Sequence, residues 1–100
     1  MTREIPLPHP GEILREEFLQ PMGVSVYAAA KAIGVSRSQL NKICHGEHRV
    51  TAGIAVRLGK YLNVDPAWFL NMQQVYDLER STVELHDELE SIEPFRQIAA

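Results

Sequence analysis

The sequence predicts an all-α domain built from five short helices. Three observations carry this expectation. Apolar residues recur at three- and four-residue spacing in successive segments. No segment shows the apolar–polar alternation of a half-buried strand. A capping or stop residue falls at nearly every boundary between the periodic segments. One hundred residues with 45% hydrophobic content suffice for one domain. A core of that size is only marginally stable alone, so oligomerisation would help it.

Residues 1–8 carry two prolines and little periodicity, and are expected to form an extended lead-in. The first helix follows His9, with Pro10 near its first position, where the missing N–H costs nothing. Ile13, Leu14, Phe18 and Leu19 make its apolar side, and Pro21 with Gly23 stops it. Ser25 caps a second helix, in which Tyr27, Ala30 and Ile33 are expected to face inward. Ser36 opens a third, with Gln39 at capping-box spacing and Leu40, Ile43 and Cys44 as its buried face; Gly46 ends it. Thr51 opens a fourth, with Ile54, Ala55, Leu58 and Leu62 inward. Asp65-Pro66 pairs a cap with a first-position proline and starts a fifth helix through Trp68, Phe69, Met72 and Tyr76. The expected domain is 9–80. Residues 81–100 form an acidic tail, mobile or carrying one short helix lined by Leu85, Leu89 and Ile92.

The second and third helices are separated by a three-residue turn. Gly34 sits where that turn needs a positive φ, and Val35 plugs back toward the core. Small residues, Ala29 and Ala30, stand where the two helices cross. This is the pattern of a DNA-reading helix-turn-helix, whose second helix presents its N-terminal residues to the major groove. The DNA-binding candidates are Ser36, Arg37, Ser38, Gln39, Asn41, Lys42, His45 and, beyond the helix, Arg49. Arg takes guanine O6 and N7 together, and Gln or Asn takes adenine N6 and N7. Ser and Lys suit phosphate oxygens, which set register without reading sequence. Any one of these residues is as readily part of a solvated helix face, and Gln39 has the capping box as a competing use.

Charge supports two surfaces. The net charge is −3 overall. Between Ser25 and Lys60, however, six basic residues stand against Glu47 alone, a net +5. From Gln73 onward seven acidic residues oppose Arg80 and Arg96, a net −5. Cys44 is the single cysteine, which excludes an intramolecular disulfide and fits a reducing compartment. With no apolar run of membrane length and no signal-like N-terminus, a cytoplasmic protein without membrane contact is expected. Cys44, His45 and His48 spell C-H-x-x-H, but a helix puts Cys44 on the apolar stripe and His45 on the polar one. No metal site and no cofactor are expected. Glu12, Glu16 and Glu17 lack a pocket or nucleophile and suit an early helical turn, so no enzymatic activity is expected.

On HPGEIL (His9–Leu14), AKAIGVSRSQLNKICHG (Ala30–Gly46), TAGIAVRLGKYL (Thr51–Leu62) and WFLNMQQVYDLE (Trp68–Glu79), the sequence resembles the HigA/VapI-type antitoxins. These belong to the Xre/Cro-like helix-turn-helix regulators, with a Cro/lambda-repressor-like five-helix domain. The last motif is the most specific, since general Cro-like repressors lack it. The resemblance implies a homodimer on a palindromic operator, and a toxin of the HigB kind, a small basic mRNA endonuclease that the antitoxin binds and silences. Many relatives carry a phosphate-steadying glutamine where this chain has Val26; Arg49 and the helix amides are the candidates to replace it.

A single helix cannot bury both faces in so small a domain. Some of Trp68, Asn71, Gln74, Val75 and Leu78 are therefore expected at a dimer interface. Two alternatives stay open on the sequence: a stand-alone repressor of phage or metabolic type with no toxin partner, and an interaction module that has lost DNA binding.

Overall fold

The computed structural model describes residues 6–96, and among them the regular structure is entirely helical. Residues 1–5 of the expected lead-in and 97–100 of the tail lie outside that range. Six helices follow in order. α1 is one rod of three pieces: a turn at Pro10–Ile13, a π-helical stretch at Leu14–Leu19 and a closing turn at Gln20–Met22. Then come α2 (Val26–Ile33), α3 (Arg37–Cys44), α4 (Ala52–Leu62), α5 (Pro66–Glu84) and the short α6 (His86–Glu90).

The caps explain these limits. Ser25, Ser36 and Thr51 each accept a backbone N–H three residues on, and Asp65 accepts that of Ala67 at 2.9 Å. Three helix ends close on a left-handed glycine. Gly34, for example, has φ 77°, and the Val35 N–H reaches back to the Ala30 carbonyl at 3.0 Å. α4 ends instead on Asn63, at φ 58°, which tolerates this region better than most residues with a Cβ. The residue after the left-handed one is apolar at three of the four ends, Val24, Val35 and Val64, and each packs on the core.

That core lies between α1, α2, α3, α4 and the first half of α5. Leu14, Leu19, Leu40, Ile43, Val50, Leu58 and Phe69 are all at most 1% exposed. In a regular α-helix Leu14 and Leu19 would point about 140° apart. The wider π turn, in which the Gln20 N–H bonds the Arg15 carbonyl, turns both inward. α1 also lies backbone-close to the end of α3. A Cβ on Gly11 would come 1.7 Å from the Ile43 carbonyl oxygen, so only glycine fits there.

Three expectations are revised. Tyr27 is 58% exposed and does not face the core; Ala29, Ala30 and Ile33 form the inner stripe, with Val26 beside them half-buried. The stripe turns by about 100° per residue, which puts positions 26, 29, 30 and 33 together and leaves 27 outside. α5 continues past Arg80 to Glu84, because no glycine or proline interrupts it there. Pro21 takes no part in stopping α1. It sits within the last turn, and Gly23 at φ 68° makes the actual end.

Candidate nucleic-acid interface

α3 separates cleanly into two faces. Leu40, Ile43 and Cys44 are buried, while Arg37, Ser38, Gln39, Asn41 and Lys42, with His45 just beyond, are exposed. Ser36, also exposed, accepts the Gln39 backbone N–H through its Oγ at 3.0 Å. Its hydroxyl oxygen is thus already engaged within the helix, which is half of the expected capping box. The His45 Nδ1–H donates to the Asn41 carbonyl at 2.7 Å. The Arg37 guanidinium lies 5.7 Å from the centre of the Tyr27 ring. Sequence reasoning missed this second role of α2: the outward Tyr27 flanks the first residue of α3 and offers its ring face to a cation.

Not all of the basic half is free for a ligand. Arg57 donates to the Ile33 carbonyl at 2.6 Å, closing the end of α2. Arg49 donates to the Asp77 carboxylate at 2.6 Å. Arg49, expected on the basic side, is therefore tied to α5.

That tie belongs to a polar lock the sequence did not disclose. Gln73 is 2% exposed; its Oε1 accepts the Val50 N–H at 2.7 Å, and its Nε2 donates to Asp77 at 2.9 Å. Burial disfavours the charged Asp77 carboxylate, but hydrogen bonds from Arg49 and Gln73 outweigh it and hold its pKa below the usual value. His9, 4% exposed, caps α1 by accepting the Gly11 N–H at 2.9 Å and sets its ring edge-on to Tyr76 at 5.0 Å. Burial pushes the His9 pKa down, against the nearby carboxylates of Glu12 and Asp77. The HPGE and QQVYD segments, far apart in sequence, meet here. The lock fixes the loop after α3, and so the end of the recognition helix, to α5.

The residues expected at a dimer interface share one exposed side of α5. Trp68 is 40% exposed, Val75 49% and Leu78 61%, and Asn71 and Gln74 are exposed with them. Trp68 also meets Phe18 edge-on at 5.5 Å, so it joins α1 to α5 while presenting its other side to solvent. Cys44 is fully buried with its thiol pKa raised by desolvation, and His45 is exposed, so the C-H-x-x-H residues point apart. Elsewhere His86, Asp87 and Glu90 bring potential ligand atoms within 4.8 Å, all on the exposed α6, with the His86 Nδ1 3.3 Å from Asp87 and 3.8 Å from Glu90. No helix among the described residues is long and apolar enough to cross a membrane.

A short helix with a polar, basic outer face, seated on a helix joined to it by a tight glycine turn, defines the helix-turn-helix class. The helix-turn-helix family matches residues 14–69. Virulence-associated protein I of Dichelobacter nodosus is 51% identical over 76 residues, covering 76% of this chain and 70% of that protein. Antitoxin HigA-1 of Vibrio cholerae is 34% identical over 84 residues, covering 84% and 79%. Among solved structures, Pseudomonas aeruginosa antitoxin HigA with the higBA promoter superposes with a TM-score of 0.85 at 34% identity, covering 90% of this chain and 99% of that one. Antitoxin GraA in complex with its operator gives 0.85 at 36% identity, covering 97% and 99%. The chain belongs to the helix-turn-helix family, within its branch of HigA antitoxins, a family of DNA-binding regulators and not of enzymes.

Proposed function

We propose that this chain is the antitoxin of a type II toxin–antitoxin pair, which represses its own operon as a homodimer and neutralises a HigB-like mRNA endonuclease. The outer face of α3 carries the DNA-binding half of this reading: every exposed residue from Arg37 to Lys42 is polar or basic, above a fully apolar inner face. The operator and promoter complexes of its structural relatives support the same use. Arg37, with Gln39 or Asn41, reads base edges; Ser38, Lys42 and His45 contact phosphates. Ser36 contributes by capping the helix, and Arg49 reaches a phosphate from its Asp77 anchor. Two copies place their recognition helices in successive major grooves, about 34–36 Å apart, on an inverted repeat. Trp68, Asn71, Gln74, Val75 and Leu78 face the second copy. The whole cycle takes place in the cytoplasm.

The test is fluorescence anisotropy on the DNA upstream of the chain's own gene, at physiological salt. Wild type binds one fragment preferentially, and the Arg37→Ala/Lys42→Ala double variant loses that preference. The same variant, co-expressed with the product of the adjacent small basic reading frame, still rescues growth. Loss of rescue together with repression counts against separate surfaces, and no toxic neighbour leaves a stand-alone repressor.

A further inference from the structure

Past the core, α5 presents two different sides. Leu78 continues the row of Trp68, Asn71 and Val75, whereas Tyr76, Glu79, Arg80 and Val83 form another row at three- and four-residue steps. Leu78 and Val83 stand five residues apart, so they point about 140° from one another. The second row continues the side of α5 that buries Phe69 and Gln73, but runs beyond the end of the core. The lead-in passes beside it and makes a groove of about 430 Å³, with Pro6, Leu7, Tyr76 and Val83 as apolar walls and Arg80 and Glu84 beside them. That apolar lining is open to solvent: Val83 is 52% exposed.

Beyond the groove the same row turns acidic. The Leu85 N–H bonds the Ser81 carbonyl at 2.9 Å and the Leu89 N–H bonds the Leu85 carbonyl at 2.8 Å, so helical pairing is taken up again directly after the junction of α5 and α6. Asp87 and Glu90 follow Val83 by four and seven residues and extend its row. Along residues 76–90 six acidic residues stand against one fixed cation, Arg80. Arg80 itself displays what such a surface accepts. Its guanidinium lies 5.7 Å from the centre of the Tyr76 ring, and donates to the Tyr76 hydroxyl at 3.1 Å and to Glu84 at 3.0 Å.

Resting on the antitoxin reading above, we propose that this groove and the acidic row beyond it are the docking surface for the basic partner protein. The partner inserts an apolar side chain between Leu7 and Val83 and sets arginines or lysines against Glu84, Asp87 and Glu90. Charge selects this occupant. A second copy placed here about a twofold axis brings the same carboxylates to the same groove and is repelled, whereas a basic surface is drawn to them. The phosphates of nucleic acid are repelled for the same reason. Position agrees with charge, because a partner seated on the Val83 side leaves the Leu78 side clear for a second copy.

The test uses the full-length chain and the product of the adjacent small basic reading frame, with titration calorimetry at low and high salt and sedimentation of the chain alone. Val83→Ser, which removes one apolar contact, raises the dissociation constant for that product about tenfold while the helical circular-dichroism spectrum is retained. Asp87→Asn/Glu90→Gln weakens binding about threefold at low salt and less at high salt. Neither variant changes the sedimentation of the chain alone. Leu78→Glu, on the other side of α5, loosens the homodimer but keeps the affinity of each chain for the product within about twofold. Unchanged affinity in both groove variants overturns this surface and leaves the antitoxin reading standing. Affinity lost only with Leu78→Glu overturns it as well, since the partner then sits on the opposite side. Groove variants that dissociate the chain's own dimer show a second copy in the groove and also overturn it. A product that does not bind the wild-type chain at all removes the antitoxin reading and this surface with it.

Discussion

On α3 the side chains that face solvent are Arg37, Ser38, Gln39, Asn41 and Lys42; on α5 they include Trp68, Val75 and Leu78. Both helices bury one side in the same core. The polar face of α3 is content in water and needs a ligand only for function, whereas the apolar face of α5 is unfavourable in water until something covers it. Exposure alone therefore says little, and the chemistry of what is exposed says which surface awaits a protein and which a charged polymer. The Gln73–Asp77–Arg49 lock joins the two, since it runs from α5 to the loop that ends α3.

The strongest perturbation of this contrast removes the seat of α3. Gly11→Ala forces a methyl group into the Ile43 carbonyl, and neither backbone can yield cheaply. We expect a loss of about 3 kcal/mol in urea unfolding, with operator binding falling as the fold does. Leu78→Glu instead makes the α5 face resemble that of α3. Dimer stability should fall by about 1.5–3 kcal/mol per buried leucine, read by sedimentation, and the monomer fold should persist.

The lock is tested by acidity. The folded-state pKa of His9 is lowered, so the native state takes up that proton less readily than the unfolded chain. Its contribution is complete above the ordinary value near pH 6.5 and is lost as pH falls through the folded value. Asp77, also lowered, acts only in the more acidic range below its own ordinary value. Urea midpoints of wild type should therefore decline on acidification below about pH 6.5. His9→Asn, which keeps an acceptor for the Gly11 N–H without a titrating ring, should decline less over that window. The smallest effect concerns Tyr27. Tyr27→Ala should weaken operator binding by about 0.5–1 kcal/mol and lower the discrimination made by Arg37, while Tyr27→Phe, which keeps the ring face, stays close to wild type.

Most of the fold was legible because local rules specify it. Ser25, Ser36, Thr51 and Asp65 announce their helices, and Gly34 and Gly46 announce two ends, through hydrogen bonds that close within a few residues. The buried face of α3 was legible for the same reason, since its period is internal to one helix. Tyr27 was misplaced because three of the alanines around it are neutral markers of face. The π turn was missed because it is a response to packing that leaves no local signature.

The sequence alone thus determined the helix order, the helix-turn-helix and the split between a basic and an acidic half. Those features depend on neighbours three or four residues away and on simple sums of charge. Only the tertiary structure decided that Gln73 and Asp77 hold Arg49, that His9 meets Tyr76, and that Gly11 admits the backbone of α3. Each of these joins residues more than 25 positions apart or depends on the distance between two packed helices. A side chain's period fixes which way it points on its own helix; only the assembled core fixes what it meets.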